Sequence, residues 1–145
     1  MTPVAGAVPQ PVSPRPTAVV RPTILLVEDD RDLVTALTTH LETQGFAVVT
    51  ASDGMAALTA ARDAAPHLIL LDLMLPGLDG YRVLKLLKTH ERYQRIPIVV
   101  TTARAGTRDL ELAFEAGADA CLVKPVQVET LLATIRTLLA PTASE

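Results

Sequence analysis

From Thr23 onward, short continuous apolar runs alternate with longer segments whose apolar residues recur every three or four positions. Runs such as Ile24-Leu-Leu-Val27 and Leu68-Ile-Leu-Leu71 have the length of strands buried on both faces. The longer segments carry helical stripes. Leu33, Leu37 and Leu41 form one, and Val128, Leu131, Leu132, Ile135, Leu138 and Leu139 form another. The pattern predicts strands at 23–27, 47–51, 68–72, 97–101 and 119–123. It predicts helices at about 31–44, 54–65, 80–90, 107–116 and 127–139. Gly45 and Gly117 fall where helices should stop, and Asp79 and Thr107 are the expected N-caps.

Strands alternating with helices mean an α/β fold: a mostly parallel five-stranded sheet with helices on both faces and right-handed crossovers. Ligands of such sheets bind beyond the carboxyl ends of the strands, where the strand order reverses. With strand order 2-1-3-4-5, the first and third strands are neighbours at that point. Glu28-Asp29-Asp30 follows the first run, and Asp72 ends the third. Glu28, Asp29 and Asp72 would then meet in one crevice. A carboxylate at the end of a fully apolar run has no packing role, because burying it unpaired is costly.

Composition fits this outline. The chain has 145 residues, is 49% hydrophobic and carries a formal charge of −3. That suits one domain, placed at 23–140, and gives no general attraction to nucleic acid or to an anionic membrane. The expectation is no direct nucleic-acid contact and no membrane contact. Residues 1–22 hold six prolines, which predicts an extended, disordered tail. Its Pro11-Val-Ser-Pro14 matches a PxxP ligand pattern that arises easily in such composition. Residues 141–145 form a short polar end. No apolar stretch is long enough to span a bilayer, and prolines interrupt the N-terminus where a signal peptide needs an apolar core. A cytoplasmic location is expected. One cysteine, Cys121, permits no internal disulfide.

Clustered carboxylates must share a proton or bind a cation. An all-oxygen site suits Mg2+ better than zinc. His40, His67 and His90 lie on or beside helices and strand starts, as surface residues do. Two further runs end in polar groups: Ile98-Val-Val100 leads to Thr101 and Thr102, and Cys121-Leu-Val123 leads to Lys124-Pro125. A lysine beside several acids neutralises them and can bind an incoming anion. Such an edge can hold a metal and a tetrahedral anion together.

This set resembles the receiver domain of two-component response regulators. The resemblance covers about residues 23–140. It rests on Leu26-Val27-Glu28-Asp29-Asp30, Leu71-Asp72-Leu-Met-Leu-Pro76-Gly77-Leu-Asp79-Gly80, Pro97-Ile-Val-Val-Thr-Thr102-Ala103, Gly117-Ala118 and Lys124-Pro125, in this order and spacing. It implies a flavodoxin-like doubly wound fold of strand order 2-1-3-4-5. It implies that Asp72 is the phosphoacceptor, and that Glu28, Asp29, Asp72 and the Met74 backbone carbonyl hold Mg2+. Thr102 matches the switch hydroxyl, and Lys124 the phosphate-binding lysine. The Ala103 backbone amide would hold a phosphoryl oxygen. The Lys124–Pro125 bond resembles one that is cis in the family. The implied donor is a histidine kinase or histidine phosphotransfer protein, and the output passes to a downstream protein target. The protein would be no enzyme beyond its own phosphoryl transfer and autodephosphorylation. Met74 and Arg104 fall at two positions that vary with the lifetime of the acyl phosphate.

One position departs from the pattern. Cys121 stands where the family usually has Tyr or Phe, so the usual rotamer switch is not available. No output domain is legible after Leu139, so a stand-alone receiver is expected. Two other readings compete. A degenerate receiver would act only as a binding module, but Asp29, Asp72 and Lys124 are all present. A haloacid-dehalogenase-like phosphohydrolase needs a second Asp two residues after the first, and that position is Met74.

Overall fold

The computed structural model describes residues 21–77 and 79–140. The tail placed at 1–22 lies almost wholly outside them, as does 141–145. The strands are β1 Thr23–Val27, β2 Ala47–Ala51, β3 Leu68–Asp72, β4 Ile98–Thr102 and β5 Ala120–Val123. The helices are α1 Arg31–Thr43, α2 Gly54–Ala64, α3 Gly80–Thr89, α4 Thr107–Glu115 and α5 Val128–Leu139. All strand pairs are parallel, in the order β2-β1-β3-β4-β5. The predicted α/β architecture and strand order are those observed.

Burial follows position in the sheet. Every residue of central β3 is buried, whereas edge strands β2 and β5 are mostly half-exposed. Side chains alternate between the two faces. Leu25, Val27, Ile69 and Leu71 pack with Ala57 and Ala61 of α2, Val83, Leu84 and Leu87 of α3, and Ala113 of α4. Ile24, Leu26, Leu68 and Leu70 pack on the other face with Leu37 and Leu41 of α1 and with Leu131 and Ile135 of α5. Each fully buried Leu or Ile contributes roughly 1.5–3 kcal/mol. The two apolar layers therefore fix the register, and with it what emerges at the carboxyl edge.

Several boundaries differ from the sequence expectation. β4 begins at Ile98 rather than at residue 97, because Pro97 has no N–H and only its carbonyl pairs, with the Ile69 amide. β5 begins at Ala120 rather than at residue 119. The Asp119 side chain, not its backbone carbonyl, takes the Ile98 amide at 2.8 Å. Thr107 is not an N-cap. It is the first helical residue of α4, and extended Gly106 caps the helix without a side-chain bond. Asp79 does cap α3, through the Tyr81 amide. Gly45 and Gly117 end their helices at φ of +97° and +113°.

Candidate functional site

β1 ends in Glu28. Its amide continues the ladder to the Ala51 carbonyl at 3.0 Å, which fixes a carboxylate at the sheet edge. Asp30 is the N-cap of α1, accepting from the amides of Asp32 and Leu33. The Asp30 amide donates to Glu28 Oε2 at 3.1 Å. Local helix-start chemistry thus orients the Glu28 side chain. Asp29, between them, is exposed.

Asp72 ends β3 opposite Thr101 of β4. It is only 2% exposed. Its Oδ1 accepts the Met74 amide at 2.9 Å, the local turn bond that Asp favours. The chain leaving β3 then runs against α3 at Gly80. A Cβ on Gly80 would lie 2.6 Å from the Leu73 Cα and carbonyl oxygen, so only glycine permits this approach.

Lys124 follows β5, and its amide donates to the Thr102 carbonyl at 2.8 Å. The Lys124–Pro125 bond is cis, as the resemblance implied. Lys124 Nζ donates to Glu28 Oε1 at 2.9 Å and to Asp72 Oδ2 at 3.2 Å. Three strands separated by up to 96 residues meet at this one ammonium. Glu28, Asp29 and Asp72 also offer oxygens that all lie within 4.8 Å of one another.

The charges are in tension. Burial pushes the Glu28 carboxyl above its ordinary range. Hydrogen bonds from Lys124 and the Asp30 amide oppose that rise, and nearby Asp72 adds to it. Burial also works against the charged form of Lys124. Its hydrogen bonds and attraction to Glu28 and Asp72 outweigh that and hold its pKa above the ordinary value. A single ammonium thus faces more negative charge than it balances. A hard divalent cation matches what remains: three carboxylates, all-oxygen donors and one exposed side for water.

The structure brings Glu28, Asp29, Asp72 and Lys124 together. Met74 is beside Asp72 through its amide, and the residue is 47% exposed. Thr102 is buried at the end of β4, where its Oγ1 accepts the Arg104 amide at 3.0 Å and not a group of the acid cluster. Ala103 is exposed just after it. The sequence names Asp30 only as part of the acidic run and not as the cap of α1, although an Asp just before a helical stripe is a recognisable cap signal. The Asp109 partner of Arg104 was also missed, and the sequence holds no signal for it.

The response regulator receiver domain family model matches residues 24–136. The chain belongs to this family. The transcriptional regulatory protein AfsQ1 of Streptomyces coelicolor is 43% identical over 118 residues, covering 81% of this chain and 51% of AfsQ1. The DNA-binding response regulator MtrA of Mycobacterium tuberculosis is 42% identical over 119 residues, covering 82% of this chain and 51% of MtrA. The crystal structure of a response regulator from Chloroflexus aurantiacus superposes with a TM-score of 0.80 at 31% identity, covering 84% of this chain and all of that one.

The receiver spans about half the length of the curated relatives it matches. The expectation of no direct nucleic-acid contact is overturned, because a relative this similar is a DNA-binding regulator. A net charge of −3 argues only against general electrostatic attraction by these 145 residues. It does not bear on what a protein about twice as long does. Among the described residues, no helix is long and apolar enough to cross a membrane.

Proposed function

We propose that this receiver accepts a phosphoryl group on Asp72 from a phosphohistidine, with Mg2+ held by Glu28, Asp29, Asp72 and the Met74 carbonyl. A bound Mg2+ would supply charge neutralisation between the incoming phosphoryl group and the carboxylates. An Asp72 oxygen attacks phosphorus in line. The phosphorus–nitrogen bond breaks, and the imidazole leaves with its electron pair. Phosphoryl transfer needs positioning and electrostatics more than covalent chemistry. Burial and the Met74 amide fix the Asp72 carboxylate. Lys124 moves its hydrogen bonds from Asp72 toward the phosphoryl oxygens. The Thr102 hydroxyl and Ala103 amide complete the cradle. No other chemical activity is assigned beyond slow hydrolysis of the acyl phosphate. The output is protein contact that depends on the state of Asp72, in a cytoplasmic setting.

The observation that carries this reading is the Lys124 ammonium bonded at once to Glu28 and Asp72, beside an acid triad of metal-binding size. Incubation with acetyl phosphate and Mg2+ should place one phosphoryl group on the protein, read by intact mass. Asp72→Asn should abolish it and leave the circular dichroism spectrum unchanged. Undiminished incorporation in that variant would sink the assignment.

A further inference from the structure

One chain of contacts starts at Thr102 and leads out of the crevice through residues that take no part in the chemistry above. Arg104 gives its amide to Thr102 Oγ1 at 3.0 Å. The Arg104 guanidinium lies 3.9 Å from Asp109 Oδ1, with 62% and 32% of the two side chains exposed. An exposed pair at that length is weak. Asp109 sits in the first turn of α4 and folds back over its start. A Cβ on Gly106 would come within 3.1 Å of Asp109 Oδ2. The Asp109 carbonyl accepts the Tyr81 hydroxyl of α3 at 3.2 Å. Tyr81 also lines a cavity of about 480 Å³ between α3 and α4, with Arg82, Lys85, Leu112 and Glu115.

Two features make this chain responsive. First, α4 is poorly anchored: Ala113 is its one buried residue, and Gly106 provides no side-chain cap. Second, Arg104 lies three residues past Thr101, which pairs with Asp72. Three extended residues span at most about 10 Å, so a long guanidinium side chain has two anions to choose between. A phosphoryl group carries about −1.5 to −2 charge near pH 7. It would outcompete one half-exposed carboxylate at 3.9 Å.

We infer that Arg104 exchanges Asp109 for the phosphoryl group. Without Arg104 on its side chain, Asp109 and the first turn of α4 can shift, which breaks the bond from the Tyr81 hydroxyl to the Asp109 backbone carbonyl and carries the state of Asp72 to the α3–α4 groove. Asp109 and Tyr81 are positioning residues in this latch. The inference rests on the receiver reading above. It also gives the chain a signalling ring where β5 offers only Cys121, since Tyr81 and Cys121 pack against the same core.

The chain has no Trp and two Tyr, so Tyr93→Phe leaves Tyr81 as the sole emitter. Tyrosine emission is quenched when its hydroxyl donates to a carbonyl. In Tyr93→Phe protein treated with acetyl phosphate and Mg2+, emission should rise in proportion to the phosphorylated fraction measured by mass. Adding Asp109→Asn should place the unphosphorylated emission near the phosphorylated level, with little further change. Adding Arg104→Ala should remove the phosphorylation-linked rise at equal phosphorylated fraction. Phosphate incorporation without an emission change, or an equal rise in both double variants, overturns the latch alone. Absence of any incorporated phosphate overturns the latch and the receiver reading together.

Discussion

Helices α3 and α4 are neighbours on the same face of the sheet, yet they are held very differently. α3 buries Gly80, Val83, Leu84 and Leu87, and Asp79 caps its start. Lys88 ties its far end to the Ile96 carbonyl and to Asp119, each at 3.0 Å. α4 buries only Ala113, begins without a side-chain cap, and leaves Leu112 and Phe114 37% and 51% exposed. Local opening starts where buried apolar contacts are few. The chain that leaves Asp72 is thus backed by the better-packed helix, and the neighbouring helix on that face is the less firmly held. On the proposed function, the first helix would preserve the chemistry and the second would be available for the signal.

The largest test of that contrast is truncation on each helix. Leu84→Ala should cost about 2–5 kcal/mol, because Leu84 is fully buried and the site cannot collapse around the lost methyls. Leu112→Ala on α4 should change stability by less than about 0.5 kcal/mol. Urea midpoints at constant slope measure both. Similar losses would mean that α4 is as firmly docked as α3.

The next effect is cation binding. Mg2+ should relieve repulsion among Glu28, Asp29 and Asp72 and stabilise the unphosphorylated protein by about 2.7 kcal/mol at ~100 times its dissociation constant. Asp29→Ala should remove most of that increment, which thermal melts with and without Mg2+ would read. An equal rise in both proteins would place the cation elsewhere. Hydrogen exchange adds the comparison itself. Mg2+ should slow exchange in α3 more than in α4.

Smaller again is the effect of the lysine. Lys124→Met leaves Glu28 buried beside Asp72 without its ammonium, at a cost of about 1–2 kcal/mol in metal-free buffer near neutral pH. The pH dependence has a definite sign. Burial already raises the Glu28 pKa above its ordinary 4.5, and losing Lys124 raises it further. The folded state then holds its proton more tightly than the unfolded state, so stability falls as pH rises above about 4.5. The deficit of the variant should therefore be larger at pH 8 than at pH 5. The wild type has a second window, at high pH. There the contribution of Lys124, whose folded pKa is raised, is lost as the pH climbs through that value.

The clustering of the charged groups was legible because charge at the end of an apolar run is hard to explain by packing. Asp72, Glu28 and Lys124 announced themselves in this way, and the parallel sheet with order 2-1-3-4-5 brought them together. Element ends were less legible where a side chain replaced backbone. Asp119 stands in for a ladder carbonyl and shortens β5. Gly106 rather than Thr107 caps α4, although threonine is a preferred cap residue. The bond from Tyr81 to Asp109 crosses two helices 28 residues apart. Neither periodicity nor spacing encodes it, because it depends on how α4 settles against α3.

The smallest expected effect concerns Cys121, beside the loosely held helix. Burial raises its thiol pKa above the ordinary 9.0. Cys121→Ala should alter stability by less than about 1 kcal/mol, since the position is only half-buried. The informative measurement is alkylation by iodoacetamide, which proceeds through the thiolate. In the native protein the rate should keep climbing with pH past the point where an ordinary thiol levels off. If α4 loosens when Asp72 is phosphorylated, water and reagent should reach β5 more freely, and alkylation at fixed pH should speed up. Leu84→Ala should not reproduce that acceleration at a denaturant-free, fully folded baseline, because it weakens the core behind α3 rather than the docking of α4. A phosphorylated protein alkylated no faster than the unphosphorylated one would show that α4 stays closed over β5, and the contrast between the two helices would be one of packing alone.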